Sequence, residues 1–382
     1  MIKEYHIENV PYFFDGETLS LYKDEIPEER GTRPNEVRNP KHLYSATFFM
    51  TDRCNGNCMY CYEEHGRRKM KKEDADRAID TLKKSCMKID RVSFFGGEPL
   101  LNFEVIKYIV ERMSKEFLIE KWEITTNATL MDEEILNFLI QYQFRVVISL
   151  DGPDFIHNYL RPGCNHAEVL KWINAFKESA IKEQIEINCT YTQIHCEQID
   201  LESLISYFVD LGVKYTISDV ITDISKLKLK DQKLSYKEII DKCYKNLIEN
   251  SSNLGVSAFV SSVINAVVKR IYCNEFCTEL SNGVAFNTDG EEYPCTKLIK
   301  KCRKNDKKLL ESNSKNNEVC NKCWAKGLCS YCAANIYTGE SIPYEASECE
   351  LEKGYDYALQ RFIEYLQTEP DKLQSIVDNY YS

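Results

Sequence analysis

Cys54-Asn55-Gly56-Asn57-Cys58-Met59-Tyr60-Cys61-Tyr62 comes shortly after Ala46-Thr47-Phe48-Phe49-Met50, an apolar run that reads as a buried strand. Three thiols spaced C-x3-C-x2-C let one loop wrap a compact inorganic core. A cubane iron–sulfur cluster takes four Cys ligands when fully coordinated, so three leave one iron open. An open coordination position is what a catalytic metal requires. A zinc site, or three unrelated core thiols, is the other reading of the spacing.

Outward from this loop the chain alternates β and α from Ser45 on. Strand-like runs are Ala46–Thr51, Val92–Phe95, Trp122–Thr126, Arg145–Ser149, Ile185–Thr190 and Tyr215–Val220. Amphipathic helices lie between them, for instance Lys72–Met87, Asp132–Tyr142, Glu168–Ile181 and Leu201–Leu211. Six strand–helix units in series predict an α/β fold with a parallel sheet, open or curled into a partial (β/α)6 TIM-like barrel. In such barrels the reactive groups sit on loops at the carboxyl ends of the strands. The motifs fall there. The three-cysteine loop follows the first strand, Gly96-Gly97-Glu98-Pro99 the second, Asn127 the third and Asp151-Gly152-Pro153 the fourth. Glycines at 96 and 97 allow close backbone approach and positive φ, and Pro99 fixes the exit. The carboxylate and carbonyls of that turn can bind an ammonium group.

Composition narrows the class. In 382 residues, 49 Lys and Arg face 60 Asp and Glu, a net charge of −11 that argues against a nucleic-acid partner. The 43% hydrophobic content suits a globular chain. No apolar run approaches the length of a membrane span. Met1-Ile2-Lys3-Glu4-Tyr5-His6 lacks the apolar core of a signal peptide, so a cytoplasmic location is expected. There, 17 cysteines point to reduced thiols and metal rather than disulfides. Three sit at 54–61 and eight more run from Cys273 to Cys349; Cys86, Cys164, Cys189, Cys196, Cys243 and Cys302 fit neither group and read as buried, inert thiols.

The spacing of Cys54, Cys58 and Cys61, with the aromatic Tyr62 after the third, resembles the radical S-adenosylmethionine (SAM) family. The resemblance implies a [4Fe-4S] cluster on those three thiolates, with the open iron chelated by the amino and carboxylate groups of SAM. It also implies one-electron cleavage of the sulfonium to a 5′-deoxyadenosyl radical. The protein's share is position, electronics and exclusion of water. Gly96-Gly97-Glu98-Pro99 is similar to the family's amine-binding motif. Asn127 is placed to hydrogen-bond the ribose, Ser149 ends the fourth strand, and the Arg161 fork suits the methionyl carboxylate. Tyr60 and Tyr62 flank the last thiolate, where the adenine is expected. Each has a plainer reading: Asn127 as a helix cap, Ser149 as a strand end, Arg161 as a solvated charge, and the tyrosines as packing.

The C-terminal cysteines run Cys273, Cys277, Cys295, Cys320-x2-Cys323-x5-Cys329-x2-Cys332 and Cys349, with Gly290 ahead of Cys295. Eight thiolates suffice for two further cubanes. Zinc is the alternative, although zinc ribbons usually separate their knuckles more widely. The pattern resembles the SPASM domain, an iron–sulfur extension of radical SAM enzymes that modify peptides and proteins. The resemblance assigns Cys273, Cys277, Cys295 and Cys332 to one cluster, and Cys320, Cys323, Cys329 and Cys349 to the other, three cubanes in all. The last pair is C-x2-C where the family more often has C-x3-C, and Cys273 stands close to Cys277, which puts the fourth ligand of the first cluster in question.

The expected organisation is a hairpin and linker over 1–43, a radical SAM core over 44–255, a SPASM domain over 256–355, and a C-terminal helix and tail over 356–382. The hairpin is placed at Val10–Phe14 and Thr18–Tyr22 around Asp15-Gly16. The function implied is oxidative modification of a ribosomally made peptide by a thioether or carbon–carbon crosslink. Its partners would be a peptide or protein substrate and an external one-electron donor of flavodoxin or ferredoxin type. The alternatives are a formylglycine-forming enzyme of the anaerobic sulfatase-maturase type and a plain iron–sulfur electron-transfer protein. Between the first two, Thr296 matters. In the sulfatase-maturase pattern the cysteine after the glycine is followed by an Asp base, and here Cys295 is followed by Thr296, whose hydroxyl cannot take up a proton near neutral pH.

Overall fold

The computed structural model describes residues 1–34, 42–63, 65–220, 224–229, 236–249, 257–273, 275, 277, 280, 282–299, 301–302, 306–330, 332–338 and 349–381. Part of the expected linker, 35–41, lies outside the described residues, as do 223 and 230–233 of the charged stretch after the sixth strand. The chain divides into two compact units. One comprises 39–233 with 282–304, the other 1–38 with 234–281 and 305–382.

The first unit is the alternating α/β part. Its strands are β4 (His42–Phe49), β5 (Lys88–Phe95), β6 (Leu118–Thr126), β7 (Arg145–Ser149), β8 (Ile185–Tyr191) and β9 (Lys214–Asp219). Between them run α1 (Lys72–Ser85), α2 (Phe103–Glu116), α3 (Glu133–Gln141), α4 (Asp154–Leu160), α5 (His166–Lys177), α6 (Gln193–Gln198) and α7 (Leu201–Leu211). The six strands pair in parallel in chain order, as alternating β and α elements dictate. Two short strands from the cysteine-rich region extend the β4 edge. β10 (Gly283–Phe286) lies parallel to β4 and β11 (Glu292–Tyr293) antiparallel to β10. No ladder joins β9 to β11 among the described residues, so the sheet is open, as in a partial barrel.

Period-two burial decides which face each strand turns inward. β8 buries Ile185, Ile187, Cys189 and Tyr191 and leaves the residues between them half-buried. Across the strands, Phe48, Phe94, Trp122, Phe144 and Phe286 form a continuous aromatic row with ring centroids 5.4 to 6.2 Å apart. Such cross-strand aromatic pairs stabilise the register beyond their buried area. The alternate residues are polar. Arg145 is ion-paired to both Glu123 and Glu186, and Ser93 Oγ donates to Glu123 at 2.9 Å.

In the second unit an antiparallel sheet of β1 (Ile2–Ile7), β2 (Val10–Asp15) and β3 (Ser20–Lys23) shares one core with helices from the far end of the chain. The tight two-residue turn falls at Glu8 and Asn9, whose φ of 50° and 66° suit a primed hairpin turn. Asp15-Gly16 instead opens the longer connection between β2 and β3, and strand β1 was not legible in the sequence because it carries only two aliphatic residues. Tyr5, Tyr12, Phe14 and Leu19 pack with α8 (Tyr236–Glu249), α9 (Ala258–Lys269) and the helix Glu350–Thr368. The hydroxyls find partners on that last helix: Tyr5 donates to Asp356 at 2.8 Å and Tyr12 to Gln367 at 2.6 Å. A further helix, Pro370–Tyr381, buries Leu373 and Ile376 in the same core. No helix among the described residues is long and apolar enough to cross a membrane.

Candidate active site

The loop after β4 is stitched to the ends of its neighbours by backbone hydrogen bonds. Gly97 N–H donates to Thr51 O at 2.8 Å and Glu98 N–H to Arg53 O at 2.9 Å. On the other side, Asn57 N–H donates to Pro162 O at 2.7 Å and Met59 N–H to Leu160 O at 2.9 Å. The loop carrying Cys54, Cys58 and Cys61 is thus held between the turn after β5 and the segment after α4. The glycines are what let the first of these contacts form. Gly96 has φ of 143°, and a Cβ there would lie 2.7 Å from Thr51 O; at Gly97 it would lie 2.3 Å from Arg53 O. The close approach these residues permit is to the cysteine loop itself.

Glu98 is buried, and its carboxylate accepts three hydrogen bonds within the chain. One oxygen accepts from Thr126 Oγ1 at 2.7 Å and Leu100 N–H at 3.1 Å, the other from Asn127 N–H at 2.8 Å. Burial outweighs these donors and pushes its pKa up to about 7. Asn127 turns its amide back to the loop, donating to Asn55 Oδ1 at 2.9 Å with Cys54 Sγ at 4.0 Å, while its Oδ1 accepts from Thr129. Ser149 stands half-buried at the end of β7.

Arg161 is neither solvated nor open. Its guanidinium grips Asp151 through Nε at 2.8 Å and Nη2 at 3.2 Å, with Nη1 3.8 Å from Cys58 Sγ and the Tyr60 ring 5.4 Å away. Tyr60 donates its hydroxyl to the same carboxylate and is buried, whereas Tyr62 is 51% exposed. Asp151, wholly buried, is the hub the sequence did not single out as a site residue. Thr190 N–H donates to it at 3.0 Å, its own N–H donates to His157 Nδ1 at 3.2 Å, and His195 Nε2–H donates to its carbonyl at 2.7 Å. Burial opposes its charge, but the Arg161 guanidinium wins and holds the carboxyl below the usual range. His157 and His195 are kept neutral by burial, His157 down to about 4. Only their positions after β7 and β8 hinted at a role; nothing in their local sequence marks them.

Cys164, read from the sequence as a buried thiol outside both cysteine groups, is buried in the structure. It lies 1% exposed beside the loop, its Sγ and that of Cys54 both flanking Gly56. A hydrogen bond between Cys58 and Cys164 lowers the pKa of the first and raises that of the second. Cys54 and Cys61 are pushed up by burial, Cys54 to about 11, each with small contributions from the other loop thiols or Cys58. Gly56 N–H donates to Cys54 Sγ at 3.3 Å. Three thiols on one loop, with N–H donors turned to two of their sulfurs, are the donor set a cubane with one open iron takes.

In the second unit Cys320, Cys323, Cys329 and Cys349 lie within electrostatic reach of one another. Burial raises Cys323 to about 11 and Cys329 to about 12, and Asn317 Nδ2 donates to Cys320 Sγ at 3.2 Å. These four suit a second cluster by donor type and neighbourhood. Cys273 and Cys277 are in this unit too, tied through Gly327 O (2.8 Å from Cys273 N) and Asn313 Oδ1 (2.8 Å from Cys277 N), as is Cys332, while Cys295 belongs to the α/β unit. Among the described residues no three His, Cys, Asp or Glu side chains are drawn in to metal-ligand distance.

Comparison with known proteins bears on both regions. The Radical SAM superfamily model matches residues 48–194. A GTP 3',8-cyclase of Clostridium botulinum is 30% identical over 263 residues, 64% of this chain and 79% of that protein. A cysteine-type anaerobic sulfatase-maturating enzyme of Clostridium perfringens is 24% identical over 372 residues, 85% of this chain and 96% of that one. The radical SAM cyclopropyl synthase TigE of Paramaledivibacter caminithermalis is 24% identical over 213 residues. The chain spans less than two thirds of the first curated relatives it matches, 64% of one and 44% of TigE. Among solved structures, native anSMEcpe with bound AdoMet and Cp18Cys peptide superposes with a TM-score of 0.60 at 19% identity, over 89% of this chain and all of that one, which shows the fold.

Proposed function

The chain belongs to the radical SAM superfamily, and from that premise we propose that it oxidatively modifies a ribosomally made peptide by forming a thioether or carbon–carbon crosslink. The observation that carries the reading is the meeting of the three-cysteine loop with the turns at Gly96–Glu98 and Asn127 and with the segment at Arg161, at the carboxyl ends of successive strands. When bound, a [4Fe-4S] cluster and SAM supply reductive one-electron cleavage and a 5′-deoxyadenosyl radical able to take hydrogen from a peptide residue.

The chain's own residues then have these tasks. Cys54, Cys58 and Cys61 would hold the cluster. An ammonium at this turn would be received by the backbone carbonyls and by the Glu98 carboxylate, one oxygen of which accepts only from Asn127 N–H and keeps a lone pair. Arg161, locked by Asp151, keeps one N–H beside Cys58 Sγ, where it favours the thiolate. Asn127 and Ser149 remain the candidates for ribose and substrate contacts. An external one-electron donor of flavodoxin or ferredoxin type completes the set.

Formylglycine formation is the second reading, favoured by the 85% coverage of this chain in the match to the sulfatase-maturating enzyme. Thr296 weighs against it, since no carboxylate base follows Cys295. Anaerobic incubation of the chain with SAM, reductant and a Cys-containing sulfatase-type peptide, followed by mass spectrometry, decides between them. 5′-Deoxyadenosine without formylglycine is the expected result; a formylglycine product would sink the crosslinking assignment.

A further inference from the structure

Lys315 is 2% exposed, although lysine is almost never buried unless paired. It follows the helix Lys307–Asn313, and its ammonium donates to three backbone carbonyls: Cys273 O at 2.6 Å, Lys326 O at 2.9 Å, and Cys329 O. Three N–H groups therefore meet three carbonyls, and the charge is fixed in place. Two of those carbonyls belong to cysteines from the two different cluster sets, and the third belongs to the turn between Cys323 and Cys329. The charge is felt by the sulfurs around it, those of Cys329, Cys273 and Cys320, while burial works to pull the lysine's own pKa down. Conversely, Lys315 lowers the pKa of Cys320 and Cys329.

Taking an ammonium out of water is strongly unfavourable unless something compensates. Neutral carbonyls solvate the charge in part. Thiolate-bound clusters would compensate it fully, because a cubane on four thiolates is anionic in both redox states and gains one more negative charge on reduction. A fixed cation close by stabilises the reduced state more than the oxidised one.

We propose that Lys315 is a buried counter-charge to the cysteines around it in its own unit, Cys273, Cys320 and Cys329, a positioning residue that raises the reduction potential of the clusters they hold. This rests on reading those cysteines as cluster ligands. The two ideas separate in one experiment on the full chain carrying Cys54→Ala, Cys58→Ala and Cys61→Ala, so that signals come from the C-terminal sets alone. After anaerobic reconstitution, iron content is measured and the clusters are titrated with dithionite under electron paramagnetic resonance, for Lys315, Lys315→Arg and Lys315→Gln. Gln keeps donors and removes the charge; Arg keeps the charge.

The expected result is equal iron in all three, a more negative midpoint potential for Gln, and a potential near that of Lys315 for Arg. Gln that fails to load while Arg loads normally also supports the role, since the charge is then needed for assembly. An unchanged potential in a loaded Gln variant overturns it. So does failure of both variants with loss of a cooperative melt, which would make Lys315 a structural staple. Absence of iron in the parent with Lys315 intact would refute the cluster reading and this inference with it.

Discussion

Arg161 and Asp151 show how a side chain's task depends on partners its sequence neighbourhood does not reveal. From spacing alone Arg161 suits a ligand carboxylate, and Asp151 is part of a turn. In the fold each is the other's partner, at 8% and 0% exposure. Removing one member of such a pair leaves a buried charge uncompensated, at a cost of about 3–5 kcal/mol. Arg161→Ala should therefore lower the thermal midpoint by many degrees, and Asp151→Asn should do so less, since Asn still accepts a hydrogen bond. Calorimetry of the two variants checks it, and equal melting to wild type would remove the pair from the fold's support. His157 makes a pH prediction. Burial holds its folded pKa near 4, below the 6.5 of an exposed imidazole. The unfolded chain thus binds a proton the folded chain refuses between those values. Stability from this residue is full above pH 6.5 and falls as pH drops towards 4, by on the order of 3 kcal/mol. His157→Gln should flatten that limb in denaturant titrations at pH 7 and pH 4.5. An unchanged slope would assign the acid sensitivity elsewhere.

Element by element, much of the α/β unit was legible. Hydrophobic period fixes β7 at Arg145–Ser149 and α7 at Leu201–Leu211 as the sequence indicates, because both have one buried face and clear ends, Asp200 capping the helix and Gly212 closing it. β10 and β11 were not legible. They have four and two residues, too short for a period, and what makes them strands is the bare edge of β4. The turn after β5 carries the third prediction. A Cβ at Gly97 would meet the backbone of Arg53 and Cys54, at 2.3 and 3.1 Å, where nothing can rotate away. Gly97→Ala should shift the cysteine loop and cost the N-terminal cluster its iron or its SAM binding. The C-terminal cysteines lie far along the sequence and should load normally. Iron analysis with spectroscopy of the SAM-bound cluster would show it; a variant that binds SAM as wild type does would mean the loop yields more easily than its hydrogen bonds suggest.

For the whole molecule, the proposal of three cubanes predicts about twelve irons per chain after reconstitution and about eight once Cys54, Cys58 and Cys61 are replaced by Ala. Stoichiometric zinc, or about four irons in the wild type, would end the argument for clusters in the C-terminal region. Metal binding free energy is folding free energy where the ligands come from separate segments, so strong chelation should melt the cysteine-rich region before the aromatic-cored sheet, as hydrogen exchange would report.

The core of the second unit joins Tyr5, Tyr12 and Phe14 to Tyr355, Leu359 and Phe362, and the hydrogen bond from Tyr5 to Asp356 spans 351 positions. A ribosome adds roughly 5–20 residues each second. Once out of the exit tunnel, the ribbon therefore waits about 20–70 s for the helix that will cover it. During that wait its apolar face lacks the cover of that helix and its strand edges are open to any neighbouring chain. A polysome making this protein would carry a row of such ribbons side by side, and the fraction of chains reaching the native state should rise when translation is slowed in number of initiations rather than in speed of elongation.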